Sequence, residues 1–148
     1  MSGQTPGAAQ QRAERAAAAL FERDGASQTL GMRLAAVRPG WAKVVMRVRA
    51  DMVNGHGLCH GGIVFALADS AFAFACNSYN ESTVAAAASI DFLAAAREGD
   101  ELTAEASELW RSRRNGIYEM SVCNQRGERI ALVRGRSWRV EGVVVSEE

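Results

Sequence analysis

The sequence lacks a surplus of either charge. Its 148 residues carry 17 Lys and Arg against 17 Asp and Glu, a formal net charge of zero. Proteins that hold nucleic acid need extra cations to displace counterions from phosphate. No basic tract here runs beyond a few residues, so nucleic acid is excluded as a partner. Cysteine is scarce as well, with three residues, Cys59, Cys76 and Cys123, odd in number and widely spaced. That is not the framework of a disulfide-stapled secreted domain and reads as a reduced, cytoplasmic setting. Long apolar runs are also missing. The longest, Ile63 to Cys76, contains Asp69 and falls short of the roughly 20 residues that span a bilayer, so no membrane association is expected. The opening Met1-Ser2-Gly3-Gln4-Thr5-Pro6 lacks the basic-then-apolar order of a signal peptide. His56, Cys59 and His60 stand close together, but structural zinc takes four ligands, commonly in closely spaced pairs. Cys76 and Cys123 have no near second ligand, so neither a metal nor another cofactor is expected.

What remains is an ordinary globular composition, 48% hydrophobic and 23% charged, at a length that suits one domain over residues 1–148. Residues 1–9 are small and polar and are expected to be disordered. Residues 10–24 carry Ala13, Ala16, Ala17, Leu20 and Phe21 at helical spacing, with Gly25 as a C-terminal stop. A hairpin follows, Met32–Val37 and Trp41–Val48, around the Pro39-Gly40 turn. Residues 51–62 form a Gly- and His-rich loop. Gly62 to Asn77 is apolar on nearly every side, and its length and alanine content indicate a buried helix. Four strands come after it: Thr83–Leu93, Glu101–Arg111, Ile117–Asn124 following Asn115-Gly116, and Arg129–Val140. One central helix followed by a run of antiparallel strands is an α+β pattern.

Asp69 is the most informative residue. It lies mid-helix with Phe65, Ala66, Phe72 and Ala73 as neighbours at i±3 and i±4. A carboxylate there is penalised by desolvation unless paired, which raises its pKa and suits a general base or nucleophile. Equally, it could sit on a wetted stripe or bond to a loop amide. Gly61 and Gly62 fall at the helix start, where backbone N–H groups lack partners and the dipole is positive. Such groups can polarise a carbonyl oxygen, although a tight loop-to-helix turn also needs glycines. Asp69 lies about 12 Å further along the axis, so Asp69 of a second copy could face Gly61 more easily. His60 could cap the helix or brace the loop. The Asn54 amide could hold a carbonyl or a water, or serve a turn. Arg111, Arg113 and Arg114, and Arg134, Arg136 and Arg139, cluster at strand ends, where they could bind phosphates or simply be solvated.

The run Asn54-Gly55-His56-Gly57-Leu58-Cys59-His60-Gly61-Gly62 to Ala68-Asp69-Ser70-Ala71-Phe72, with Ala73-Phe74-Ala75-Cys76-Asn77 and Ser89-Ile90-Asp91-Phe92-Leu93, resembles the hotdog-fold acyl-CoA thioesterases of the phenylacetate-degradation type. The resemblance extends from about Leu30 to Val140. It implies a hotdog fold, a long helix wrapped by a curved antiparallel sheet. It implies homodimers with a continuous sheet, pairing again into tetramers, and active sites at the subunit interface. Asp69 would be the base or nucleophile and Gly61 the oxyanion-hole donor, with Asn54 and His60 orienting the thioester or water. Gly62 and Phe72 would contact substrate, and Arg111, Arg113, Asn115 and Arg139 would hold CoA. The reaction implied is hydrolysis of a phenylacetyl- or hydroxyphenylacetyl-CoA-like thioester. Two rivals are a hotdog enoyl-CoA hydratase or dehydratase, which needs a close Asp/His or Glu/His pair, and a non-enzymatic acyl-CoA-binding protein.

Overall fold

A computed structural model describes residues 6–146 of the chain. Its elements are α1 (Pro6–Glu22), α2 (Gly25–Thr29), β1 (Arg33–Arg38), β2 (Trp41–Arg47), a 3-10 turn (Ala50–Met52), α3 (Gly61–Cys76), β3 (Thr83–Phe92), β4 (Glu101–Arg111), β5 (Asn115–Cys123) and β6 (Arg129–Arg139). All six strands are antiparallel neighbours in one sheet, ordered β1-β2-β4-β5-β6-β3. The α+β expectation holds, and each strand lies within a few residues of its anticipated bounds.

The N-terminal reading needs correction. Disorder over residues 1–9 falls partly outside the described residues, but residues 6–9 are helical. Proline is well tolerated at the first helical position, where its missing N–H has no intrahelical partner to lose. Gly25 does not stop α1 either; it opens α2. Asp24 caps that short helix, its side chain accepting from the Ser27 N–H at 2.9 Å.

The core lies between α3 and the concave side of the sheet. Leu67, Ala68, Ala71, Phe72, Phe74 and Ala75 are buried on the helix, and Val44, Met46, Leu102, Ala104, Ala106, Met120, Val122 and Ala131 meet them from the strands. Alanines on the strands let the helix approach closely. One contact needs no side chain at all: a Cβ on Gly135 would fall 1.7 Å from Phe72 Cε2. Phe72 fills that gap and stacks at a tilt on Tyr118, ring centres 5.3 Å apart. Burying a side chain of this size contributes about 2–3 kcal/mol.

Asn77 reverses the chain at the end of α3. Its amide donates to the carbonyls of Ala73 (2.8 Å) and Thr83 (2.9 Å), and its oxygen accepts the Thr83 N–H (3.0 Å). The two sheet edges differ. Along β1 lies α1, whose Gln10 amide donates to the Val37 carbonyl at 2.8 Å. β3 is exposed over most of its length, although its register sets Ala85, Ala88 and Phe92 opposite the buried Ser137, Gly135 and Ala131.

Candidate active site

The loop that enters α3 is braced by its own polar groups. Asn54 Oδ1 accepts the N–H groups of His56 (2.9 Å) and Leu58 (3.2 Å), and the Asn54 N–H donates to the Leu58 carbonyl at 2.7 Å. Gly57 closes this turn at φ +77°, a conformation that favours glycine. The Asn54 oxygen is therefore occupied, and its amide NH2 is the group left to donate outward.

His60 is the N-cap of α3, with Nδ1 accepting the Gly62 N–H at 2.9 Å. With Nδ1 accepting, the ring nitrogen left to donate outward is Nε2. Gly62 is thereby held by the cap and contributes no free N–H. Gly61 differs: among the described residues no acceptor stands against its N–H, which points out of a helix N-terminus. A Cβ on Gly61 would stand 3.1 Å from Phe92 Cζ. The Phe92 ring, at the end of β3, thus stands against one side of the Gly61 backbone at the helix start. Phe92 was legible as part of the motif but not as a site residue.

Asp69 lies about two turns further on, roughly 12 Å along the axis. It sits on the strip of α3 that the sheet does not cover, with Ala66 and Ala73, all half-buried, and the exposed Gly62. Burial raises its carboxyl above the ordinary carboxylate value, and the charge of Asp24 adds to this. The protonated form is favoured as the site dries, so the ionised form is the more basic and nucleophilic for it. Neither Gly61 nor His60 of the same copy is within reach of Asp69. Within one copy, that separation leaves no close Asp/His pair of the kind a hydratase needs. Two thiols nearby are inert: burial, and then Asp69, push Cys76 up to about 12, and burial, then Asp100, raise Cys59.

Phe72 does not join these groups. It is 1% exposed, locked between Gly135 and Tyr118, so within one copy it presents no open face to a substrate. Three of the CoA-binding candidates are also engaged elsewhere. The Arg111 guanidinium lies 3.5 Å above the Tyr79 ring and pairs with Glu108 (3.3 Å) and Glu81 (3.6 Å); Arg139 pairs with Glu81 at 3.5 Å. The Asn115 oxygen accepts from Arg136 Nη1 at 3.0 Å. Arg113 stays open. With Arg114, which sequence reasoning clustered but did not carry into the site, and with Arg139, Val140, Glu141 and Gly142, it lines a surface cavity of about 260 Å³. Among the described residues no group of three His, Cys, Asp or Glu is placed to hold a metal ion, and no helix is long and apolar enough to cross a membrane.

A family model described as the thioesterase superfamily matches residues 56–131, the span from the His-Gly-Gly loop to β6. The chain belongs to the thioesterase superfamily. The acyl-coenzyme A thioesterase PaaI of Escherichia coli is 43% identical to this thioesterase over 129 residues, covering 87% of the chain and 92% of that protein. A structure of the Escherichia coli PaaI protein from the phenylacetic acid degradation operon superimposes with a TM-score of 0.89 at 42% identity, covering 90% of this chain and 97% of that one. A variant of the PaaI phenylacetic acid degradation protein of Thermus thermophilus gives a TM-score of 0.76 at 37% identity, over 79% of this chain and all of that one. The architecture is accordingly the hotdog thioesterase fold, and this protein is a thioester hydrolase.

Proposed function

We propose that this thioesterase hydrolyses an acyl-CoA to the carboxylic acid and free CoA, with a phenylacetyl or hydroxylated phenylacetyl group as the acyl moiety. The observation that carries the mechanism is the pairing of opposite site chemistry on one helix. A free N–H lies at the positive end of α3, and a carboxyl of raised pKa lies two turns along it, too far apart to act on one carbonyl within a single copy. Two copies joined along the open β3 edges would bring Gly61 of one toward Asp69 of the other. The thioester oxygen would accept the Gly61 N–H, with the apolar Phe92 ring strengthening that bond by keeping water away. Asp69 would take a proton from the attacking water, or attack the carbonyl itself to form an anhydride that water then opens. Either way the C–S bond breaks, and the sulfur leaves as thiolate and takes up a proton; in the base route water supplies the acid oxygen directly, and in the nucleophile route, with water opening the anhydride at the Asp69 carbonyl, Asp69 supplies that oxygen and takes the water oxygen in its place. The Asn54 amide and the His60 Nε2–H would orient the thioester.

Arg113 and Arg114 are the cations best placed for CoA phosphates, because among the described residues no acidic side chain forms an ion pair with them, although Glu141 shares their cavity. Trp110 is 55% exposed on the outer face of the sheet, with Trp138 and Val84 on the same face. An apolar patch of this kind supports a second dimer docking there to give a tetramer. A cytoplasmic place in aromatic-acid breakdown follows from the resemblance to the PaaI proteins.

The test is a thiol-release assay over a panel of acyl-CoAs with wild type and Asp69→Asn. Aromatic acyl groups should be turned over best, and Asp69→Asn should nearly abolish release while the oligomer survives. Wild-type turnover by Asp69→Asn refutes the assignment. A single turnover in heavy-oxygen water separates the two routes, since only the nucleophile route puts label into Asp69.

A further inference from the structure

Ser70 follows Asp69 directly on α3, and its Oγ lies 2.7 Å from the Oγ of Ser27. Ser27 Oγ in turn lies 2.6 Å from Asp24 Oδ2. A carboxylate only accepts, so the Ser27 hydroxyl donates to Asp24, and its single proton is then committed. Ser70 must therefore donate to Ser27. The chain runs one way, from Ser70 through Ser27 to the Asp24 carboxylate. Ser27 is 2% exposed, so water does not compete at its centre. Capping α2 does not account for this arrangement. The cap bond is the Ser27 N–H to Asp24 Oδ1 at 2.9 Å, and neither hydroxyl contributes to it. What the two hydroxyls do is tie a fixed anion to the turn of α3 that carries Asp69.

We propose that Asp24, acting through Ser27 and Ser70, is a positioning residue for the Asp69 carboxyl, fixing that turn of α3 and holding a second negative charge behind it. This rests on the reading of Asp69 as base or nucleophile. Asp24 is also the group whose charge adds to burial in raising the Asp69 carboxyl. Other charged groups stand on the elements packed around α3. On α1, Glu14, Arg15 and Glu22 are exposed and Arg12 is half-buried, and α2 has no charged side chain. From β1, Arg33 and Arg38 are exposed at the two ends of the strand. Lys43, Glu105, Glu119, Arg134, Arg136 and Asp91 of β2 to β6 alternate with the buried residues that meet the helix. Arg47 and Glu101 end their strands at the exposed margin, as does Arg129. Tyr79, Glu108, Arg111, Glu81 and Arg139 bond among themselves beyond the C-terminal end of α3. His60 is at the opposite end, and Cys76 on the helix itself stays protonated.

The test compares pH profiles of kcat and kcat/KM for the full-length enzyme and its Asp24→Asn, Asp24→Glu, Ser70→Ala and Asp69→Asn variants, using the acyl-CoA that wild type turns over fastest. Removing the like charge favours ionised Asp69, so Asp24→Asn should move the acid limb of kcat/KM to lower pH by a few tenths of a unit. Its kcat should fall several-fold with KM changed less. Asp24→Glu keeps the charge and should hold the limb near the wild-type position. Ser70→Ala keeps the charge but cuts the chain, so kcat should fall with the limb in place. A wild-type acid limb and wild-type kcat in Asp24→Asn overturn the proposal. If Asp24→Asn does not fold, wild-type kcat in Ser70→Ala overturns it. Wild-type turnover in Asp69→Asn is a different failure: it removes the Asp69 reading itself, and the positioning role with it.

Discussion

Introducing one methyl group at Gly135 should disturb both stability and turnover, because that glycine is the seat of the Phe72 ring. A Cβ there would lie 1.7 Å from Cε2, 2.4 Å from Cδ2 and 2.9 Å from Cζ of Phe72. Carbon atoms rest at about 3.5–4 Å, so relief needs a movement of roughly 2 Å. The ring has no free side to move into, since Phe72 is 1% exposed and Tyr118 stands against it. The remaining relief is to lift α3 from β6. Overpacking of this kind costs typically ~1–3 kcal/mol, and the depth of this overlap places Gly135→Ala at the upper end, about 3 kcal/mol. Phe72→Leu alone should cost about 1 kcal/mol through the lost ring carbons. The smaller side chain leaves room for the new methyl, so the double variant should be less destabilised than the sum by about 2 kcal/mol. Urea unfolding at a fixed protomer concentration measures all three, because association contributes to the apparent stability. Phe72 is one turn beyond Asp69, so kcat should fall in Gly135→Ala and recover in the double variant. Strictly additive effects, or Gly135→Ala within about 0.5 kcal/mol of wild type, would refute the packing argument.

Other perturbations separate the remaining roles. Arg113→Ala and Arg114→Ala should each raise KM for acyl-CoA more than they lower kcat, whereas Arg111→Ala, whose guanidinium is held by Glu81, Glu108 and Tyr79, should lower the melting temperature and leave KM near wild type; steady-state kinetics and thermal melts read both. Replacing the cap with His60→Ala should cost about 1 kcal/mol of stability in denaturant titrations as well as reducing kcat. Asp69 has a raised folded-state pKa, so the fold favours its protonated form. The stability this gives is present at acid pH, below the unfolded-state value of 3.8, and is lost as pH rises through the folded value. Asp69→Asn should therefore melt higher than wild type at neutral pH, with the difference vanishing in acid. Placing a charge on the open edge with Ala88→Lys should shift the protein toward monomer in sedimentation and reduce activity with it.

Much of the fold was legible because α3 and the strands announce themselves locally. A fully apolar alanine-rich run, bounded by a glycine pair and an asparagine, has few other readings, and strand limits followed turn dipeptides. The helix start was less legible. Pro6 can as well end a disordered tail as open a helix, and Asp24 caps a helix too short to show a period. Within the site, Asp69, Gly61, Asn54 and His60 were found by motif, but what each offers depended on bonds invisible in the sequence. His60 had to be seen accepting from Gly62 before its single exposed donor could be named. The burial of Phe72 was not legible because its position relative to the sheet is decided by Gly135, over sixty residues away. The contacts of Arg111 were not legible because Tyr79, Glu81 and Glu108 converge on it from a loop and a strand.

The unequal edges of the sheet also set a limit on how far association can run. β1 ends in Arg33 and Arg38, lies beside α1, and has its Val37 carbonyl taken by Gln10. β3 carries no basic residue and no proline from Thr83 to Phe92. In the proposed assembly, strand-to-strand joining would be β3 meeting β3 about a twofold axis, using the open edge of each copy and leaving none over. Had both edges been bare, β1 of one molecule could have met β3 of the next, and that head-to-tail contact repeats without closing. In that assembly the helix beside β1 would act as a chain terminator for polymerisation, and losing it should turn a self-limiting enzyme into a fibre-forming one.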